Sequence, residues 1–228
     1  QFSNKIHASL SWDGRNYVDK IPHGYVLSAS FTYAGGILGG LSNYNKIALS
    51  ASLYRGIWQF GSKEEGNLKN LILGVSSEID LMLPQYWLFG DSTGWKNPKM
   101  GATKYEMLYI DGMNIGRGFS VVYDQAFLWN NQIDLTFPLA EDVLSLEAFV
   151  SATGVQSDLE KINSLSSSNW YLAAGAGIKM EIPGFPLGLY LVKNATIKNN
   201  EGWKWQNGSL FSGSKEGSGL SLVLAITT

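Results

Sequence analysis

Apolar and polar residues alternate with a period of two over most of this chain. In residues 71–81, Leu73 and Val75 lie on one face, and Ser76 and Glu78 lie on the other. The same alternation recurs in nine runs: residues 5–13, 25–33, 46–54, 70–81, 127–137, 144–151, 172–181, 187–191 and 220–226. Successive side chains of a β-strand point to opposite faces of the sheet. The pattern therefore predicts an all-β fold with about nine antiparallel strands.

The composition excludes several classes of protein. Charged residues make up 16 % of the chain, against about 25 % in soluble domains. The chain has no cysteine, which excludes disulfide frameworks, cysteine zinc sites and thiol nucleophiles. Its net charge is −2 and it has no basic block, so no nucleic-acid partner is expected. Many glycines, many aromatic residues and few charges suit either a transmembrane β-barrel or a large secreted β-sandwich.

Three features favour the transmembrane barrel over the sandwich, although both would show the alternation. Tryptophan and tyrosine occur near the ends of the predicted strands, as in the aromatic girdle of membrane barrels. The strands are long for a sandwich, whose usual strand has about 5–6 residues. Short turns alternate with long polar segments at 83–124, 153–169 and 196–218. The sequence thus predicts long extracellular loops and short periplasmic turns.

A glycine-rich loop and the strand after it resemble a known family. Residues 110–119 read Ile-Asp-Gly-Met-Asn-Ile-Gly-Arg-Gly-Phe, and residues 132–139 read Gln-Ile-Asp-Leu-Thr-Phe-Pro-Leu. This ordered pair resembles the long loop and next strand of the BamA-type outer-membrane assembly superfamily. Four more segments resemble other parts of that family in the same order: 12–25, 33–46, 147–154 and 175–187. The chain departs from the family pattern at Asp111, Ser151 and Lys179, which stand where Gly, Asp and Arg are usual.

The resemblance implies a fold and a function. Residues 1–228 would form about the last nine strands of a sixteen-strand barrel in the bacterial outer membrane. The first seven strands and the periplasmic POTRA domains would belong to a longer protein. The family folds and inserts β-barrel proteins, with no enzymatic step and no cofactor. Its partners would be outer-membrane lipid, unfolded outer-membrane proteins and the lipoproteins of an assembly complex. The alternatives are a two-partner secretion translocator of the same superfamily and a passive porin.

The resemblance also marks a functional loop motif. Its residues are Gly112, Gly116, Arg117, Gly118 and Phe119. In the family, the loop arginine enters the lumen and pairs with acidic residues of the barrel wall. By strand parity, Asp134 and Glu147 lie on the lumen side, so they are the predicted partners of Arg117. The alternative is a solvated loop arginine without a fixed partner.

Asp134 and Glu147 could also suggest the carboxylate pair of a glycosidase. No other catalytic pattern accompanies them, so no catalytic residue is predicted. The two histidines, His7 and His23, lack metal-ligand spacing and are expected to be structural, so no metal site is predicted.

The end of the chain resembles the lateral gate of the family. The candidate gate strand comprises Gly219, Leu220, Leu222, Leu224 and Ile226. Nine is an odd count, whereas single-chain bacterial barrels have an even number of strands. The sequence therefore predicts open sheet edges at residues 6–12 and 220–226. The alternative for the start of this segment is a flexible loop.

Overall fold

The computed structural model describes residues 3–18, 21–61, 69–84, 101–140, 143–159, 168–180, 187–198 and 201–226. In these ranges the chain forms thirteen strands and one short 3-10 helix. They are β1 (Lys5–Asp13), β2 (Asn16–Val18), β3 (Ile21–Ala34), η1 (Gly36–Leu38), β4 (Tyr44–Phe60), β5 (Lys69–Pro84), β6 (Leu108–Ile110), β7 (Val122–Gln125), β8 (Phe127–Ala140), β9 (Leu144–Gln156), β10 (Asn169–Met180), β11 (Leu187–Lys198), β12 (Gly202–Trp205) and β13 (Ser221–Ile226). No helix among the described residues is long and apolar enough to cross a membrane.

The strands form one antiparallel sheet and a separate small hairpin. The order along the main sheet is β1-β3-β4-β5-β8-β9-β10-β11-β12, with β13 also paired to β11 and β2 paired to β3. The hairpin consists of β6 and β7 and belongs to the long connection between β5 and β8. Within the described ranges β1 and β13 do not pair with each other, so the sheet stays open there. The predicted open edges are therefore present.

The nine predicted strands are confirmed, and each corresponds to one of the long strands or to β13. The four strands that the alternation did not predict are β2, β6, β7 and β12, which have three or four residues each. The predicted start of the last strand is wrong by two residues. Gly219 and Leu220 lie before β13, and Leu220 bridges to Leu210 instead of joining the sheet.

The sheet has an apolar face and a polar face. Leu135 and Leu49 lie on the apolar side, which we call the outer face, and they are 38 % and 48 % exposed. Exposed apolar residues of this face occur on every long strand: Ile6, Leu10, Trp12, Leu27, Phe31, Leu49, Leu53, Val75, Ile79, Ile133, Leu135, Leu146, Val150, Ile178, Leu189, Leu191, Leu222, Leu224 and Ile226. Charged residues also occur there, at Arg55 and Lys193. The outer face is nevertheless predominantly apolar and open to the surroundings.

The opposite, inner face carries polar residues, and many of them are buried. Glu147, Ser151, Thr153 and Asn130 are all buried. They are covered because the connection between β5 and β8 packs against this face, where residues such as Ile110 and Phe119 contact apolar side chains of the sheet. The apolar core thus lies at the contact between the loop and the inner face, which is where the candidate site is found.

Candidate functional site

The glycine-rich loop is held in shape by Asp111 before it reaches the sheet. The Asp111 carboxylate accepts hydrogen bonds from the backbone N–H groups of Met113, Asn114 and Ile115 at 2.8, 2.9 and 2.8 Å. An aspartate that bonds the following amides stabilises a tight turn. The backbone N–H of Gly118 then donates to the carbonyl of Gly112 at 2.9 Å. These bonds direct the intervening Arg117 towards the inner face.

Arg117 is buried against three side chains of the sheet. Its Nη1 lies 2.8 Å from Oε1 of Glu147, and both residues are only 6 % exposed. The guanidinium carbon lies 4.5 Å from the ring centroids of both Phe149 and Tyr190. These two rings are perpendicular, with centroids 5.6 Å apart. A planar guanidinium suits both a carboxylate and an aromatic face. Strand parity predicted Asp134 and Glu147 as candidate partners of Arg117, and Glu147 is the one that forms the ion pair.

The second predicted partner, Asp134, has a different contact. Its carboxylate accepts a hydrogen bond from the Gln132 side chain, and no ion pair with Arg117 is found among the described residues. Asp134 is still near enough to share a cavity with Arg117 and Glu147. Because each carboxylate has its own hydrogen-bond donor, the arrangement fits a docked loop better than an acid–base pair.

The cavity beside Arg117 has a volume of about 400 Å³. Its lining is polar and includes Ser50, Ser52, Ser76, Glu78, Gln132, Asp134, Glu147 and Lys179. Within the described ranges, no group of three or more His, Asp or Glu residues could hold a metal ion. His7 lies elsewhere, on β1, where its Nδ1 is 2.9 Å from the Thr32 hydroxyl.

Asn194 fixes the backbone of the loop and was not predicted from the sequence. Its Nδ2 donates to the Arg117 carbonyl at 2.7 Å, and Asn194 is buried. Gly118, the next residue, has φ +84° and lies directly against this amide. A Cβ on Gly118 would stand 2.6 Å from Asn194 Oδ1. Glycine is therefore needed at this position both for its backbone conformation and for the close approach to β11.

We expect Gly118→Ala to destabilise the loop. A non-glycine residue in the left-handed region costs about 1–3 kcal/mol, and here displacement of Asn194 adds to that cost. Gly202→Ala is a matched control, because Gly202 has φ +68° but nothing within 4 Å of its Cβ position. Urea unfolding followed by tryptophan fluorescence measures both variants. Equal losses of unfolding free energy in the two variants would mean that the contact with Asn194 adds nothing to the cost of Gly118→Ala.

A second, partly buried contact fastens the long loop to β1. Oε2 of Glu106 accepts hydrogen bonds from the Ser42 hydroxyl at 2.7 Å and from the Thr103 backbone at 2.9 Å. Its other oxygen lies 2.8 Å from Nζ of Lys5. Burial alone would raise the pKa of Glu106, but the hydrogen bonds from Lys5, Thr103 and Ser42 outweigh burial and hold that pKa at about 2. Glu106 thus joins three separate segments at the end of the sheet that carries the long loops.

The low pKa of Glu106 predicts an acid-dependent contribution to stability. The contribution is complete above the ordinary pKa of about 4.5 and is lost as pH falls towards 2. Glu106→Gln should therefore lower the unfolding midpoint at pH 7, and the difference from wild type should shrink at pH 3. Glu201→Gln, which removes an exposed pair with Lys204, is the control. A difference between wild type and Glu106→Gln that is the same at both pH values would contradict the prediction.

Three of the predicted gate residues lie in the last strand. Leu222, Leu224 and Ile226 are on the outer face of β13, whereas Val223 and Ala225 are buried on the inner face. Comparisons of the chain with protein-family models, with curated proteins and with solved structures found no match.

Proposed function

We propose that this chain is the C-terminal part of a BamA-type β-barrel that folds and inserts barrel proteins into the bacterial outer membrane. The observation that carries the proposal is the position of Arg117 in the Gly-Arg-Gly-Phe loop. The loop passes over the inner face and places the guanidinium on Glu147 and next to two aromatic rings. The family resemblance implies a pairing of the loop arginine with an acidic residue of the barrel wall, and the contact with Glu147 supports that part of it.

The distribution of polarity supports a membrane location for the strands. The apolar face of the sheet is exposed, and the polar face is covered by the loop. A soluble sandwich would bury its apolar face in the core between two sheets. Monomeric soluble proteins rarely expose apolar patches larger than a few hundred Å². Contact of the outer face with lipid accounts for both observations.

The open edges support the proposal that these strands complete a larger barrel. Hydrocarbon does not tolerate unpaired backbone groups, so the free edges of β1 and β13 need partners in a membrane. The missing first strands of a sixteen-strand barrel would supply a partner for β1. The edge of β13 would be the gate, where a weakly satisfied strand and a strained bilayer lower the barrier to insertion of another protein. No covalent bond is made or broken in this activity.

An insertion experiment tests the proposal. The full-length protein, with the strands that complete the barrel, is reconstituted in lipid vesicles, an unfolded outer-membrane barrel protein is added, and its folding is followed by heat-modifiable gel migration. We expect faster folding than with empty vesicles, and a slower rate with Arg117→Lys than with the control Arg15→Lys. A chain that stays dispersed in water without detergent, or vesicles that perform no better than empty ones, would overturn the proposal.

The full-length gene distinguishes the insertase from the secretion translocator. A long series of POTRA repeats before residue 1 favours the insertase, and a single pair favours the translocator. A passive porin of the same architecture would conduct ions through the vesicle membrane without accelerating the folding of any added protein.

A further inference from the structure

The last strand of the sheet is broken at one position. β12 pairs with residues 195–198 of β11, and β13 pairs with residues 187–192. The backbone N–H of Gln206 still donates to the Asn194 carbonyl at 2.9 Å. Residues 207–220, which we call the insert, then leave the sheet opposite Lys193, and the strand resumes at Ser221. β12 and β13 are thus two halves of one strand, separated by the insert.

Lys193 occupies the break. Its Nζ donates to the carbonyl oxygens of Gln206, Gly217 and Gly219 at 3.2, 2.5 and 2.8 Å. An ammonium group has three N–H donors, so these contacts use all of them. The carbonyl of Gln206 immediately precedes the insert and those of Gly217 and Gly219 lie near its end, so the three flank the interruption of the ladder between strands. One side chain therefore replaces the missing ladder bonds with charge-assisted ones.

The base of the insert is also tightly packed. Gly217 has φ +74°, and a Cβ there would lie 2.6 Å from Cβ of Trp205. Its backbone N–H donates to Oδ1 of Asn207 at 2.6 Å. Within the insert, Leu210 and Leu220 exchange backbone hydrogen bonds of 2.8 Å. The insert is thus a small hairpin with its own bonds, and Lys193 connects its two ends to the sheet.

We propose that Lys193 is a latch that holds β13 on β11. β13 has only six residues, and among the described strands β11 is its one partner. Because the insert separates β13 from β12, the pairing of one half gives little support to the other. When the ammonium leaves the three carbonyls, the insert is free at its base and β13 separates from β11 while β12 stays paired. This inference stands on the local geometry and does not require the proposed function.

Hydrogen exchange tests the latch on the full chain in detergent micelles. In Lys193→Met, which keeps most of the length of the side chain but removes its charge, the amides of β13 should exchange roughly tenfold faster or more. Amides of β4 and β8 should keep their wild-type rates. Lys204→Met is the control, because Lys204 lies on neighbouring β12 and pairs with the exposed Glu201. Unchanged exchange in β13, or the same acceleration in β4 and β8, would overturn the proposal.

A cross-link shows whether the faster exchange comes from separation of these two strands. The chain has no cysteine, and Leu191 lies opposite Leu222 in the register of β11 and β13. A disulfide between Leu191→Cys and Leu222→Cys should restore slow exchange of β13 in the Lys193→Met variant, and reduction should abolish the effect. If β13 still exchanges fast with the disulfide formed, Lys193 does not act by holding β13 on β11.

Discussion

Arg117→Met should lower the free energy of unfolding by about 3–5 kcal/mol. The substitution leaves Glu147 buried without its counter-charge, and an uncompensated buried charge is strongly destabilising. Glu147 is 6 % exposed, so only a small part of its side chain can be hydrated. Removal of the guanidinium also removes its contacts with Phe149 and Tyr190. Urea unfolding of the reconstituted chain, followed by tryptophan fluorescence, measures the loss.

Two further variants separate this ion pair from a general effect of losing arginine. Arg15→Met removes an arginine that contacts Asp13 at 2.6 Å in an exposed turn, and it should change stability little because water screens the pair. The double variant Arg117→Met and Glu147→Met should recover most of the stability, since hydrophobic replacement of a buried pair is often neutral. A double variant as unstable as Arg117→Met alone would show that the cost does not come from the unpaired Glu147.

The nine strands could be predicted because one face of each is apolar and the other is polar. The alternation fails to predict a strand where a charged residue lies on the apolar face. β11 was predicted only to Leu191, yet it continues to Lys198. Lys193 lies on the predominantly apolar outer face, because the carbonyls of the insert satisfy its charge. A lysine there ends the pattern in the sequence without ending the strand.

The candidate site could be predicted in part for the same reason. Strand parity predicted Glu147 as a candidate partner of Arg117. Parity decides on which face of the sheet a side chain lies, but not how far along the strand it lies from the loop. Asp134 has the same parity, yet its hydrogen bond is with Gln132. Phe149 and Tyr190 were missed as partners of Arg117, although an aromatic residue on a polar face was a usable signal. Asn194 lies in the part of β11 that the alternation did not reach.

The division between the faces predicts opposite outcomes for two neighbouring residues of β8. Leu135 is on the outer face, whereas Thr136 lines the inner cavity and lies opposite Glu147 in the register. If lipid contacts the outer face, Leu135→Arg should cost about 2–4 kcal/mol in a bilayer, because hydrocarbon cannot solvate the guanidinium. Thr136→Arg should cost much less, since the new charge meets a polar cavity with acidic side chains.

The comparison is made in lipid vesicles, with folding efficiency and urea unfolding measured for both variants. If water covers the outer face, Leu135→Arg should no longer cost more free energy than Thr136→Arg, because an arginine on a solvated surface is usually close to neutral. Leu135→Arg that folds in bilayers as well as Thr136→Arg would therefore show that this face does not contact lipid. That result would remove the membrane barrel from the proposal, while the contact between Arg117 and Glu147 would still describe how the loop is held on the sheet.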